Sequence, residues 1–195
     1  MLDKKYRILT KSDLKYYLEC DKLASNIHKK KPSIIPIVDY IWKFQICLRK
    51  TEYLSNQNNK LLRILGTIYY YRYKLLCRKY NVEIPLNCIR EGLVIWHLSR
   101  IIINDKSKIG KNVSLSSGVV IGQSNGKQSV VGDNVILMLD ARVLGAKITD
   151  NVAIGASSLV LSDITEQNTV HAGIPAKKIS YNYPNKHSEL SIKWK

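Results

Sequence analysis

From residue 101 onward the apolar positions fall into a rhythm of six. Ile103, Ile109, Leu115 and Ile121 form one run, Val131, Leu137 and Val143 a second, and Ile148, Ile154 and Val160 a third. Small or β-branched residues stand four places after many of them, at Ser107, Val113, Val119, Val135, Ala141, Val152 and Ser158, and glycine directly follows at Gly110, Gly122, Gly132 and Gly155. A helix repeats about every 3.6 residues and a hairpin strand about every two, so neither makes this pattern. A fixed six-residue period is the signature of a parallel β-helix. Each hexad supplies one short strand and one tight corner, and three hexads close a triangular coil. The aliphatic side chain fills the interior, the small one fits the crowded corner, and each coil buries the face of the next.

The rhythm slips twice. Ten residues rather than six lead from Ile121 to Val131, so this stretch predicts an exposed loop of about four extra residues, the kind of place where function concentrates on a rigid scaffold. Only five lead from Val143 to Ile148, so the coil is expected to tighten near Gly145 and Ala146.

Residues 1–81 follow helical spacing instead. Ser12 is placed to cap a helix with Leu14, Tyr17, Leu18 and Leu23 on one face. The stretch Lys-Lys-Lys-Pro-Ser-Ile-Ile-Pro breaks it, because proline cannot continue a helix. A second helix follows Pro36, with Ile41, Phe44, Leu48 and Tyr53 at helical spacing, and Ser-Asn-Gln-Asn-Asn-Lys reads as a loop. A third spans about residues 60–80, with Leu61, Leu65, Ile68, Tyr69, Leu75 and Leu76 as its stripe. Packing against neighbours is expected to cover that stripe and leave the lysines in water. The same basic, aromatic composition also suits a helix lying on an anionic membrane surface. The chain thus divides into a basic helical domain over 1–81, a β-helix over 82–180 and a tail over 181–195.

Charge sharpens the division. Residues 1–81 hold eighteen Lys and Arg against six Asp and Glu, and residues 82–195 hold thirteen against nine, so +12 of the formal +16 lies in the first part. That balance calls for a phosphorylated ligand, a polyanion or an acidic surface. No recognisable nucleic-acid module accompanies it, so no nucleic-acid partner is expected. With 45% hydrophobic and 24% charged residues the chain is globular rather than disordered. It has no spanning run of apolar residues, and its opening lacks the apolar core of a secretory signal, so a cytoplasmic location is expected, at most against the inner face of the membrane. Cys20, Cys47, Cys77 and Cys88 are scattered, which predicts reduced, buried thiols rather than a zinc site or a disulfide framework.

The hexad array, the loop inside it, the Gly-Leu-Val-Ile-Trp-His strand before it and the closing His-Ala-Gly-Ile-Pro-Ala-Lys-Lys-Ile segment resemble the bacterial hexapeptide-repeat acetyltransferases. The branch most resembled is that of the serine acetyltransferases and their relatives in capsular polysaccharide clusters. The Tyr-Tyr-Leu-Glu-Cys-Asp-Lys-Leu-Ala helix and the following Ile-Trp-Lys-Phe-Gln resemble the helical leader of the polysaccharide-modifying relatives. The resemblance implies an α + β chain in which an N-terminal helical region precedes a left-handed parallel β-helix. It also implies a homotrimer, with acetyl-CoA in a groove between coils, its phosphates on basic residues, a histidine as base and no metal.

Carried over residue by residue, the base is His97, which among the histidines at 28, 97, 171 and 187 alone ends a strand at the head of the coil. An imidazole is suited to take a hydroxyl proton near neutral pH. The acidic residue that orients it matches Glu83, fourteen places upstream, with Glu91 nearer but beyond a turn. On the donor side Ala156 and Ser157 match the corner that meets the pantetheine arm, and Leu139 holds the corresponding place on another coil. There Leu-Met-Leu-Asp replaces a corner usually rich in glycine, so Met138 is expected to crowd the groove. Gly122 is assigned to the thioester end, with a backbone N–H nearby holding the oxyanion. Lys177 and Lys178 meet phosphates, and Lys127 attracts either a CoA phosphate or an acceptor carboxylate.

The acceptor side departs from the family. Gln128 stands where serine acetyltransferases carry a second histidine, and glutamine cannot shuttle protons. The departure favours a sugar hydroxyl over free serine. The expected reaction is therefore acetyl transfer to a glycan of a capsule or cell surface, with serine O-acetylation in cysteine synthesis as the alternative and a non-catalytic binding or assembly β-helix as the third reading. A γ-class carbonic anhydrase needs three metal-binding histidines that this array lacks.

Overall fold

The computed structural model describes residues 4–183. The six-residue rhythm becomes short strands in unbroken succession. They are β1 (Val94–Ile95), β2 (Ile102–Ile103), β3 (Lys108–Ile109), β4 (Ser114–Leu115), β5 (Val120–Gly122), β6 (Val130–Val131), β7 (Ile136–Leu137), β8 (Arg142–Leu144), β9 (Lys147–Ile148), β10 (Val152–Ile154), β11 (Leu159–Val160), β12 (Thr169–Ala172) and β13 (Lys177–Ser180). Strands of successive turns pair in parallel and build three faces. The first holds β1, β4, β7, β10 and β12, the second β2, β5, β8 and β11, and the third β3, β6 and β9. β13 returns antiparallel to β12 and ends the first face. The result is a parallel β-solenoid of about four turns.

Pairing registers turn the two slips into geometry. Ile103 pairs with Ile121, Ile109 with Val131 and Val131 with Ile148, so the three turns advance 18, 22 and 17 residues. The loop adds four residues, the Gly145–Ala146 corner removes one, and neither disturbs the ladder. All ten aliphatic positions of the hexads are buried, as are the seven small residues between them. That burial removes the interior side chains from water and drives the stacking.

One corner carries a device the hexad reading did not single out. Asn112, Asn134, Asn151 and Asn168 recur on successive turns in the left-handed conformation, with φ of 54°, 56°, 57° and 58°. Asparagine tolerates this conformation better than other non-glycine residues. The first three also form a ladder, Asn112 Nδ2 donating to Asn134 Oδ1 at 3.1 Å and Asn134 Nδ2 to Asn151 Oδ1 at 2.9 Å. Gly92 tops the column at φ 81°, where a Cβ would meet Asn112 Oδ1 at 2.1 Å. Replacing Asn134 with alanine is expected to cost about 2 kcal/mol through left-handed strain and lost amide bonds. The check is the urea midpoint, with Asn168→Ala as the control that carries the strain without the ladder. Equal losses at the two sites would leave the ladder no share in stability.

Three helices precede the coil: α1 (Lys11–Ala24), α2 (Tyr40–Ser55) and α3 (Lys60–Tyr80). Thr10, not Ser12, caps α1. It stands three residues before Asp13, so its Oγ1 accepts from Asp13 N at 3.0 Å while Asp13 Oδ2 accepts from Thr10 N at 2.8 Å. This reciprocal box satisfies two otherwise orphaned donors, which Ser12 has no geometry to do. One cluster of buried apolar residues runs from Phe44, Leu48, Tyr73 and Cys77 through Val82 and Ile89 down the coil to Ile164, so the helices cap the coil with a shared core.

A buried cation fastens this cap. Arg49 is fully buried, and its Nε and Nη2 donate to the two Asp21 carboxylate oxygens at 2.7 and 3.2 Å. Nη1 donates to Glu52 Oε2 at 3.0 Å and to the Ile89 carbonyl at 2.9 Å, and Nη2 also reaches the Arg90 carbonyl at 2.7 Å. The carboxylates in turn accept from Leu93 N at 2.8 Å and Asn87 N at 2.7 Å. Burial pushes the Asp21 and Glu52 carboxyls up and Arg49 pulls them back, while the two carboxylates hold the guanidinium protonated.

α3 departs from expectation. Gly66, Tyr73 and Cys77 are its buried residues, and of the expected stripe only Tyr69 and Leu76 pack partly against the core while the other four face outward. Gly66 lets α3 approach α2 closely, since a Cβ there would lie 3.2 Å from the Leu54 carbonyl, and Tyr73 stacks on Phe44 at 5.5 Å. The glycine–tyrosine side therefore wins the contact, and Leu61, Leu65, Ile68 and Leu75 are left exposed. Among the described residues no helix is long and apolar enough to cross a membrane. Of the tail at 181–195, only residues 181–183 are described.

Candidate active site

The edge between the first and second faces collects most of the candidate residues. Each regular turn rounds this corner in four residues, from Leu115 to Val119, Leu137 to Ala141 and Ile154 to Ser158, all buried at both ends. The first turn takes six, from Ile95 to Ile101. The excess lifts Trp96 and His97 outward, and both are exposed. The Trp96 indole is fixed by a 2.7 Å bond to Ser114 Oγ. No side-chain hydrogen bond holds the His97 ring to another described residue.

Below His97 the same edge presents Ser116–Ser117–Gly118, then Met138–Leu139–Asp140, then Gly155–Ala156–Ser157. Leu139, Ala156 and Ser157 are exposed. Arg100, Gly118, Asp140 and Ser157 are the left-handed residues that turn the chain here, with φ of 53°, 74°, 55° and 55°. Ser157 N donates to Leu139 O at 2.7 Å, and Asp140 N to Ser117 O at 2.9 Å. The N–H groups of Ser117, Leu139 and Ala156 have no partner among the described residues. Three open donors beside small and aliphatic side chains suit a narrow amide-bearing arm such as pantetheine, so the residues present fit that donor. Met138 is 40% exposed and stands in this edge rather than in the core.

The edge ends at β13. Lys177 pairs across from Ala172, and Ala172 lies directly beyond Gly155, its Cβ 3.0 Å from where a Gly155 Cβ would stand. Lys177 is exposed and makes no ion pair with a described residue. Lys178 is engaged, its Nζ donating to Glu166 Oε2 and to Tyr181 OH at 2.6 Å each. That pairing holds the Glu166 carboxyl below its ordinary range. His171 turns inward beside Thr169, 3.0 Å from its hydroxyl, and burial lowers its pKa.

Gly122, the last residue of β5, and Lys127 and Gln128 beyond it lie one corner further on, where the second face turns to the third. The inserted loop is itself a tiny hairpin. Ser124 and Lys127 exchange backbone hydrogen bonds at 3.0 and 2.9 Å across Asn125–Gly126, both with positive φ, as a two-residue hairpin turn requires. Buried Ser129 pins its foot to the Gly122 and Val143 carbonyls. Lys127 Nζ donates to Asp163 Oδ1 at 2.8 Å and holds that carboxyl below its ordinary range.

Glu83 opens the second face. Its N–H donates to the Ile101 carbonyl at 2.7 Å and its carbonyl accepts from Ile103 N at 2.8 Å. The exposed side chain lines an open groove of about 720 Å³ with Lys74, Arg78 and Asp105. No hydrogen bond joins Glu83 to His97.

No protein-family model matches the chain. The chain is 31% identical over 138 residues to a serine acetyltransferase of Haemophilus influenzae, covering 68% of this chain and 49% of the relative. It is 40% identical over 92 residues to a serine acetyltransferase of Staphylococcus aureus, covering 45% of this chain and 43% of the relative. The chain is a hexapeptide-repeat relative of the serine acetyltransferases. It spans about half the length of the curated relatives it matches. Among solved structures, soybean serine acetyltransferase superposes with a TM-score of 0.65 at 22% identity, over 85% of this chain and 69% of that one. A serine acetyltransferase in complex with CoA superposes with 0.63 at 19% identity, over 87% and 71%. At these identities the superpositions establish the fold, which is that of a hexapeptide-repeat left-handed β-helix with three helices before it.

The sequence reading of this hexapeptide-repeat protein missed Trp96, Arg100 and Ser117 on the first edge. Arg100 Nη2 lies 3.3 Å from Asp140 Oδ1, placing a cation on the same corner, three residues after the raised histidine. The signal was present in the spacing, because Ile95 and Ile101 stand six apart where the other turns have four.

Proposed function

We propose that this chain is an acetyl-CoA-dependent O-acetyltransferase of the serine acetyltransferase type. The observation that carries the reading is the raised, exposed His97 at the head of an edge whose open N–H groups suit a pantetheine arm, in a chain whose curated relatives include serine acetyltransferases. His97 takes the proton of the acceptor hydroxyl as its oxygen attacks the thioester carbonyl. The C–S bond breaks, and the imidazolium returns the proton to the leaving thiolate. Glu83 orients the charged ring, Leu139, Ala156 and Ser157 hold the donor's arm, and Lys177 and Lys178 face its phosphates. A backbone N–H near Gly122 supports the oxyanion.

The two edges belong to one site only when copies of the chain meet. We propose a homotrimer in which the loop edge of one copy, with Lys127 and Gln128, faces the His97 edge of the next.

The relatives reverse the order of acceptors expected from residues alone, since free serine now leads. The glycan reading keeps one observation, the Gln128 amide beside a Lys127 already paired with Asp163, which leaves the loop without a histidine or an unpaired cation for a carboxylate. Thiol release from acetyl-CoA in the presence of L-serine is expected to be saturable and serine-dependent, with light scattering giving three times the chain mass. No CoA binding in calorimetry would replace catalysis by a binding or assembly role. Turnover with glycan acceptors but not serine would restore the polysaccharide reading.

A further inference from the structure

The chemistry proposed for the coil leaves the basic helical region without a task. Along α3 Leu61, Ile64, Ile68, Tyr71 and Leu75 are 77, 62, 61, 67 and 66% exposed. They recur every three or four residues and form one outward stripe about 20 Å long. Lys60, Arg63, Arg72, Lys74, Arg78 and Lys79 flank it, and the helix contains no Asp or Glu. A second exposed apolar group stands at its end. In the segment before α2, Ile34 is 99% and Ile37 78% exposed, shortly after Lys29, Lys30 and Lys31, of which Lys29 is paired with Asp39 at 3.0 Å. The Tyr40 ring that follows lies 5.5 Å from the Tyr80 ring, so this segment sits beside the C-terminal end of α3.

We propose that this face docks on an anionic lipid surface, α3 lying in the headgroup region with its stripe down and Ile34 and Ile37 inserted beside its end. Apolar residues on one side of a helix with only basic charge around them are what an interfacial helix requires. Charge also decides between occupants. A second copy on the stripe would bring two helices of six cations each into contact within regions that carry +12 apiece, whereas anionic headgroups neutralise them. The inference is independent of what the coil catalyses.

The full chain is expected to sediment with vesicles of phosphatidylcholine mixed with phosphatidylglycerol, and to stay in solution with phosphatidylcholine alone. Ile64→Ser/Ile68→Ser/Leu75→Ser is expected to lower partitioning onto the mixed vesicles about tenfold or more. Its melting temperature should be unchanged, because these side chains are already in water. Three results overturn the proposal. The chain stays in solution with both vesicles, or the triple variant partitions as the parent does, or the variant dissociates an oligomer in lipid-free light scattering. The last would assign the stripe to a second copy.

Discussion

His97→Ala is expected to slow acetyl transfer about 10²-fold or more while leaving CoA binding and the melting temperature in place. The size follows from the chemistry: a neutral hydroxyl is a poor nucleophile, and without a base its proton must leave to water. Both controls follow from the structure. The ring is exposed and makes no bond to a described residue, so its removal creates no cavity and orphans no buried group. The residues proposed to hold the donor, Leu139, Ala156 and Ser157, lie on later turns of the same edge, which the substitution does not touch. Glu83→Gln tests the positioning role proposed for that carboxylate. If Glu83 acts only through His97, it lowers kcat with little change in KM, and the double variant is no slower than His97→Ala alone. Unaltered turnover in His97→Ala removes the residue as base, and additive losses would give Glu83 a role of its own.

How far the sequence reveals this depends on the kind of constraint. The coil is legible because burial repeats: Ile103 to Val160 occupy equivalent places, so one physical demand is written ten times. The loop and the missing residue are legible as departures from that repetition. The Asn112–Asn134–Asn151 column is equally periodic but answers to backbone conformation, and a search for apolar periodicity passes over it. The outward face of α3 is ambiguous for a deeper reason. An apolar stripe states that a helix wants covering, and Gly66 decides which side the protein covers by letting the backbones approach. The first edge is half visible: residue types match the family at His97, Ala156 and Ser157. Their gathering on one edge, and the separation of Lys127 and Gln128 onto the next, come from coil register. Arg49 is the least legible, because its partners at Asp21 and Glu52 and the carbonyls of Ile89 and Arg90 meet only after α1, α2 and the start of the coil have packed.

Arg49→Met is expected to destabilise the chain by about 3–5 kcal/mol, a large share of the roughly 5–15 kcal/mol that holds a domain together. Removing the guanidinium leaves Asp21 and Glu52 buried and without their cation, and the Ile89 and Arg90 carbonyls lose their donor. Arg49→Lys should recover little, since a single ammonium cannot span two carboxylates and two carbonyls from one point. Apolar replacement of all three charged residues often restores stability in buried ion pairs. Here it should not, because those carboxylates also satisfy the N–H groups of Asn87 and Leu93, which would then be orphaned. Urea unfolding of the three variants checks this, and a loss under about 1 kcal/mol in Arg49→Met would show that water or rearrangement replaces the clamp. The consequence reaches function through connectivity. The segment that Arg49 holds, residues 87–93, runs directly into β1 and the raised corner at Trp96 and His97. A variant that stays folded should therefore lose kcat, because His97, the proposed base, would stand on a loosened first turn while the edge proposed to hold the donor remains intact.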